Sequence, residues 1–229
     1  MIPTDIANCT IWLERPDINC LFASGNPTVS QWTDLSGNGN HAVQATAANR
    51  PSLSTFNGVP CVNYSANAHY LESSTGAGST EHTLIAVATW TAVPGGVTRG
   101  VCCWGNTGGA NASFISRQTN SNSLFDSAEG TTLVNSTVYV LSKVNQSTPD
   151  QGVRTRRQMQ GETRTVAAPA AITGTAIGIG KDGSANIAIN GNVFLVLGYS
   201  RALNFGEIVA AERYASRVCK LGLGARVPA

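Results

Sequence analysis

Thr83-Leu-Ile-Ala-Val-Ala-Thr-Trp90 is an unbroken run of apolar and β-branched residues. Such a run reads as a strand buried on both faces, and therefore central in its sheet. Outward from it the chain keeps one pattern, short apolar stretches separated by turn-forming residues. Toward the N-terminus stand Thr10-Ile-Trp-Leu13, Val29-Ser-Gln-Trp32 and Cys61-Val-Asn-Tyr64. Toward the C-terminus stand Gly100-Val-Cys-Cys-Trp104, Ala112-Ser-Phe-Ile-Ser116, Ser123-Leu-Phe125 and Thr137-Val-Tyr-Val-Leu-Ser-Lys-Val144. Thr175-Ala-Ile-Gly-Ile-Gly180 and Gly191-Asn-Val-Phe-Leu-Val-Leu-Gly-Tyr199 follow. Val153-Arg-Thr-Arg-Arg-Gln-Met159 is expected to turn at Gln160-Gly161 into Glu162-Thr-Arg-Thr-Val166, a hairpin. About a dozen strands without βαβ alternation predict an all-β, two-sheet antiparallel sandwich.

One segment departs from this pattern. Asn204-Phe-Gly-Glu207 has the form of a capping box. Ile208, Ala211, Ala215 and Val218 then recur at helical spacing, and Gly222 and Gly224 close the stretch. A short C-terminal helix is expected there. With no linker-like tract, residues 1–229 are expected to form one domain.

Composition agrees with a folded sandwich. Of the 229 residues 42% are hydrophobic and only 12% charged, so polarity must come from hydroxyl and amide side chains and from 24 glycines. A net charge of +2 supplies no basic face for generic nucleic-acid binding. No apolar run reaches the roughly 18 residues of a membrane span. The stretch from Met1 to Cys9 lacks the basic start and apolar core of a secretory signal, which points to synthesis in a cytosol. Six cysteines include the vicinal Cys102-Cys103 but no CxxC pair, and the three histidines show no metal-ligand spacing. Buried, reduced thiols are therefore expected.

Three segments carry a resemblance. They are Trp32-Thr-Asp-Leu-Ser-Gly-Asn-Gly-Asn-His41 with Asn49-Arg-Pro51, Asn57-Gly-Val-Pro-Cys-Val-Asn-Tyr64 with Tyr70-Leu71, and Ile177-Gly-Ile-Gly180 through Leu203 to Arg213-Tyr214. In order and kind they resemble the concanavalin A-like lectin/glucanase superfamily, in its laminin-G-like branch common in phage and bacterial surface proteins. The resemblance implies a jelly-roll sandwich of two antiparallel sheets, one commonly concave. It implies no single function, since lectins, glycanases, adhesion modules and virion proteins share that fold.

Catalytic patterns are sparse. Glycoside hydrolysis needs two carboxylates roughly 5–9.5 Å apart, and the superfamily's glucanases carry them as E-x-D-x-x-E. The nearest string here is Asp126-Ser-Ala-Glu129, whose spacing puts the two on opposite faces of a strand. No G-x-S-x-G or phosphate loop occurs. Asp34, Asn38 and Asn40 have the atom types of a calcium loop, set against the simpler role of Asp34 capping its own turn. Trp12, Trp32 and Trp90 lie in core-like patterns. Trp104, before the Gly105-Asn-Thr-Gly-Gly109 loop, is the candidate for stacking on a glycan. Arg154, Arg156, Arg157 and Arg164 form the one charge cluster, fit either for an acidic partner or a neighbouring subunit, or for guarding a sheet edge.

These features lead to the expectation of a non-catalytic virion structural protein of a bacteriophage. It would serve as a decoration, fibre or tail component, without cofactor or metal, assembled with other virion proteins and with itself. The alternative is a lectin-like module recognising bacterial surface glycan, and after that a glycanase.

Overall fold

The computed structural model describes residues 1–22, 27–66, 68–73, 81–92, 99–105, 112–117, 133–145, 152–157, 160–163, 176–181 and 189–221, the backbone alone in 112–114, 152–157 and 160–163. Among them are fifteen strands. The first seven are β1 (Cys9–Leu13), β2 (Cys20–Phe22), β3 (Val29–Trp32), β4 (Ala42–Val43), β5 (Ser52–Phe56), β6 (Val59–Tyr64) and β7 (Leu71–Ser73). They are followed by β8 (His82–Trp90), β9 (Arg99–Gly105), β10 (Ala112–Arg117) and β11 (Tyr139–Asn145). The last are β12 (Gly152–Arg157), β13 (Gln160–Thr163), β14 (Ile177–Ile179) and β15 (Gly191–Tyr199). Two α-helices join them, α1 (Pro16–Asn19) and α2 (Phe205–Val218).

The chain is thus predominantly β, as expected, with two antiparallel sheets. The first runs β13-β12-β11-β8-β15-β6-β5, and β1 also pairs with β15. The second runs β10-β9-β14-β7-β4-β3-β2. All nine residues of β8 are buried, and its place between β11 and β15 is the central one that its sequence predicts.

β15 organises the first sheet. One edge pairs with β8 throughout; the other is shared between β6, at Gly191–Val193, and β1, at Val196–Tyr199. A bulge between Val193 and Leu195 resets the alternation. Val193 and Val196 therefore face the second sheet, while the consecutive Phe194 and Leu195 both face α2. Two cores result. One lies between the sheets around Leu84, Trp90, Trp104, Leu141 and Ile177. The other lies between the first sheet and α2 around Ile85, Val87, Leu197, Ile208 and Ala215.

The capping box forms as expected. Asn204 Oδ1 accepts from the Glu207 amide at 3.0 Å, and Glu207 Oε2 accepts from the Asn204 amide at 2.9 Å. Arg201 adds a two-pronged contact to Glu207 at 2.6 and 2.8 Å. The helix stops at Val218, and Ser216 Oγ donates to the Leu221 carbonyl at 2.8 Å, ahead of the expected glycine stop at Gly222 and Gly224, which lie outside the described residues. The short α1 has no forecast in the sequence. Proline at its first position fixes φ for a helical turn, after Arg15 in the left-handed region at φ 46°.

The predicted arginine hairpin exists as β12 and β13 at the edge of the first sheet. Gln160 and Gly161 are strand residues paired with Arg157 and Arg156, and not the turn expected there. The expected strand at Ser123-Leu-Phe125 lies outside the described residues.

Candidate functional site on the free sheet face

The first sheet is covered on one face by the second sheet and on the other by α2. The second sheet turns one face into the core, and no described helix or sheet covers its other face. Alternation fixes which residues point there. Cys20, Trp32, Ala42, Leu71, Ile177, Ile179, Cys102 and Trp104 face the core. Their neighbours Leu21, Gln31, Val43, Glu72, Gly178 and Cys103 therefore point to the opposite face, where Gly178 and Cys103 are buried and the other four reach the surface. The register aligns these six as one row across the sheet, through Leu21↔Gln31, Gln31↔Val43, Val43↔Glu72, Glu72↔Gly178 and Gly178↔Cys103. Cross-strand partners share a face.

At the middle of the row sits a charged group. A left-handed turn at Gly180, φ 81°, tied by its amide to the Val101 carbonyl at 2.7 Å, sends Lys181 back over β14. Gly178 makes room for it. A Cβ there would lie 2.7 Å from Lys181 Cε and 2.8 Å from Cys103 Sγ. Lys181 Nζ donates to Glu72 Oε2 at 2.5 Å and lies 4.6 Å from the centre of the Tyr70 ring. The lysine side chain is 2% exposed and the glutamate 35%, so the pair hides its cation and shows its carboxylate.

Tyr70 is braced from behind. Its amide donates to the Asn49 carbonyl at 3.2 Å, and its carbonyl accepts from Gln44 Nε2 at 3.3 Å. Gln44 is buried, and its own carbonyl accepts from Arg50 Nε at 2.8 Å. The face combines an accessible carboxylate, an amide at Gln31, an aromatic ring, and apolar Val43 and Leu21, which are 43% and 54% exposed. Acceptors and donors set among apolar surface are what recognition of a polyhydroxylated ligand requires.

The residues singled out in the sequence lie elsewhere. Trp104 is fully buried, its ring inside the core 5.2 Å from that of His82, so it offers no face to a glycan and that expectation is corrected. β9 parity is the reason, since it sends Trp104 into the core between the sheets and Cys103, itself buried, to the opposite face. Trp32 and Trp90 are core, and half-buried Trp12 packs edge-on against Tyr214 at 5.9 Å. In the backbone register Arg154, Arg156 and Arg157 pair with Ser142, Val140 and Tyr139 of β11. Arg164, Asp126 and Glu129 lie outside the described residues.

Asp34 is a turn organiser. Its Oδ1 accepts from the amides of Trp12 at 2.8 Å and Ser36 at 2.9 Å; its Oδ2 accepts from Ser36 Oγ at 2.7 Å and the Asn40 amide at 2.9 Å. Asn38 and Asn40 point their Nδ2 groups at the Cys9 and Thr10 carbonyls. The Asp34 carboxylate and the two Nδ2 groups thus staple the turn to β1. Among the described residues no three His, Cys, Asp or Glu gather as a metal site.

No signal in the sequence marks Glu72 or Lys181. They lie 109 residues apart and meet only through the β7–β14 pairing. Away from this face, a concavity of about 280 Å³ adjoins Arg15, Asp17, Phe194 and Lys220, with Asp17 the one carboxylate on its wall.

No protein-family model matches the chain, and no curated protein matches it in sequence. Solved structures match it in fold. A GH54 α-L-arabinofuranosidase soaked with a cyclic sulfate inhibitor gives a TM-score of 0.61 at 16% identity, over 92% of this chain and 59% of that one. An arabinofuranosidase complexed with arabinofuranosyl-α-1,2-xylobiose gives 0.57 at 15%, over 93% and 60%. Trypanosoma rangeli sialidase in complex with sialic acid gives 0.59 at 17%, over 93% and 34%. The chain therefore spans about three-fifths of the arabinofuranosidases and a third of the sialidase.

At such identities the likeness is one of fold, and it corrects two expectations. The β-sandwich here is of a kind carried by glycoside hydrolases solved with sugars and inhibitors. The expected bacteriophage structural role is therefore withdrawn, since the solved structures that share the fold are glycoside hydrolases. The expectation of a non-enzyme is withdrawn as well, since the fold is one that enzymes carry.

Proposed function

We propose that this chain is a carbohydrate-active β-sandwich, in the concanavalin A-like jelly-roll arrangement, that takes a glycan on the free face of its seven-stranded sheet. The observation that carries this is the Glu72–Lys181 pair beside Tyr70, on the sheet face that α2 and the first sheet leave open. The similarity in fold to arabinofuranosidases and a sialidase supports a carbohydrate ligand.

In the proposed complex a sugar lays its C–H face on Tyr70 or Val43. Its hydroxyls donate to Glu72 and exchange hydrogen bonds with Gln31. Hydrolysis is the reaction to test, because the matched chains hydrolyse glycosides by name. It requires a pair of carboxylates, and Glu72 is the carboxylate that the described residues place on this face.

The test is a glycan array, with titration calorimetry on the hits and assays of aryl arabinofuranosides and sialosides. Binding to at least one glycan is expected, weakened tenfold or more by Tyr70→Ala with the fold intact. A chain that binds no glycan and turns none over sinks the proposal.

A further inference from the structure

Resting on that function, we infer that the glycan is a neutral one, built of sugars with free vicinal hydroxyls and without carboxylate, sulfate or phosphate groups. The inference comes from how the central ion pair is presented. Lys181 is 2% exposed, with its ammonium against Glu72 on one side and the Tyr70 ring on another, so it is not available to a ligand anion. Glu72, at 35%, is the charge a ligand meets.

An ionised carboxylate is acceptor-only, with about four lone-pair sites. Lys181 meets Oε2, and the remaining capacity suits hydroxyl donors. The rest of the row supplies no cation, since Leu21, Val43 and Gly178 are apolar and Gln31 is neutral. Arg50, on the loop that supports Tyr70, directs Nε and Nη2 at the carbonyls of Gln44 and Ala45, both at 2.8 Å. An acidic sugar would set its own charge against Glu72, while Lys181 and Arg50 are directed at Glu72 and at two backbone carbonyls.

The ion pair also predicts how selectivity changes. Glu72→Gln keeps the shape and removes the outward charge, leaving Lys181 as the local cation. Glu72→Gln combined with Lys181→Met removes both charges and keeps the side-chain length that packs over Gly178. Binding of arabinotriose, xylotriose and lactose is compared with that of sialyllactose and trigalacturonic acid, for wild type and both variants, with melting curves to establish folding.

The expected result is that wild type binds a neutral probe at least tenfold more tightly than any acidic one. Glu72→Gln should lose at least tenfold on the neutral probe and gain on the acidic ones. The double variant should lose on the neutral probe without that gain. Wild-type preference for an acidic probe overturns the inference and leaves the glycan function standing. So does a folded double variant with wild-type affinity for the neutral probe. Failure to bind any of a full array overturns both.

Discussion

Removal of the Asp34 carboxylate measures how much of the β1 connection depends on one side chain. Its two oxygens accept from three backbone amides and one hydroxyl, and the residue is only 6% exposed. A hydrogen bond to a charged group contributes about 1.5–3 kcal/mol, and such terms overlap when they share an acceptor. Water can reach the Ser36 amide more easily than that of buried Asn40. Asp34→Ala should therefore cost about 3–5 kcal/mol, against a usual total of about 5–15 kcal/mol. Asp34→Asn keeps the oxygen facing Trp12 and Ser36 but sets an amide donor against the Asn40 N–H, for about 2–3 kcal/mol. Asn38→Ala, which removes an exposed contact to the Cys9 carbonyl at 2.8 Å, should cost about 0.5–1.5 kcal/mol. Urea unfolding followed by tryptophan fluorescence ranks the three. A cost below about 1 kcal/mol for Asp34→Ala, or Asn costing as much as Ala, would refute the turn-organising role. Stabilisation of wild type by calcium that Asp34→Asn abolishes would refute it too.

Gly180→Ala should be among the most damaging single substitutions. Its φ of 81° disfavours a side chain, and the new Cβ would lie 2.2 Å from the Tyr64 ring; strain and overpacking together predict about 3–5 kcal/mol in the same urea assay. Burial pushes the thiols of Cys9, Cys20, Cys61 and Cys219 up to about 12 from an ordinary 9.0. The unfolded chain then loses these protons first. Stability is fully present below pH 9 and falls as pH rises from 9 toward 12, and a flat urea midpoint over that range would count against burial of these groups. Native protein at pH 8 should react slowly with a thiol reagent and denatured protein fast, at close to six groups, since none of the six cysteines is in a disulfide. Asn204→Ala should cost about 1 kcal/mol by loss of the cap. Arg201 holds the Glu207 carboxyl below its ordinary 4.5, so that contact is present above pH 4.5 and lost as pH falls below it, which acid titration of wild type against Glu207→Gln resolves.

What the sequence discloses and what it hides divide along a physical line. β8 is legible because burial on both faces leaves a continuous apolar run. α2 is legible because a capping box and a 3.6-residue stripe are local signals. Strand parity is not local. In Cys102-Cys103-Trp104 an apolar run allows either phase, and only pairing with β10 and β14 sends Trp104 into the core between the sheets and Cys103 to the opposite face. That is why the ring chosen from sequence as a glycan platform proves to be core, while Tyr70, in a loop of ordinary composition, stands beside the exposed carboxylate. The free face draws its six row residues from six strands between Leu21 and Gly178, each unexceptional where it stands. The arginine cluster shows the converse. It is conspicuous in sequence because charge is rare here, yet its strand lies in the first sheet, away from the free face. Charge scarcity is what made that cluster visible. The same scarcity gives the Glu72–Lys181 pair its weight, since on a face otherwise built of Leu, Val, Gln and Gly, one carboxylate sets the sign of what can bind.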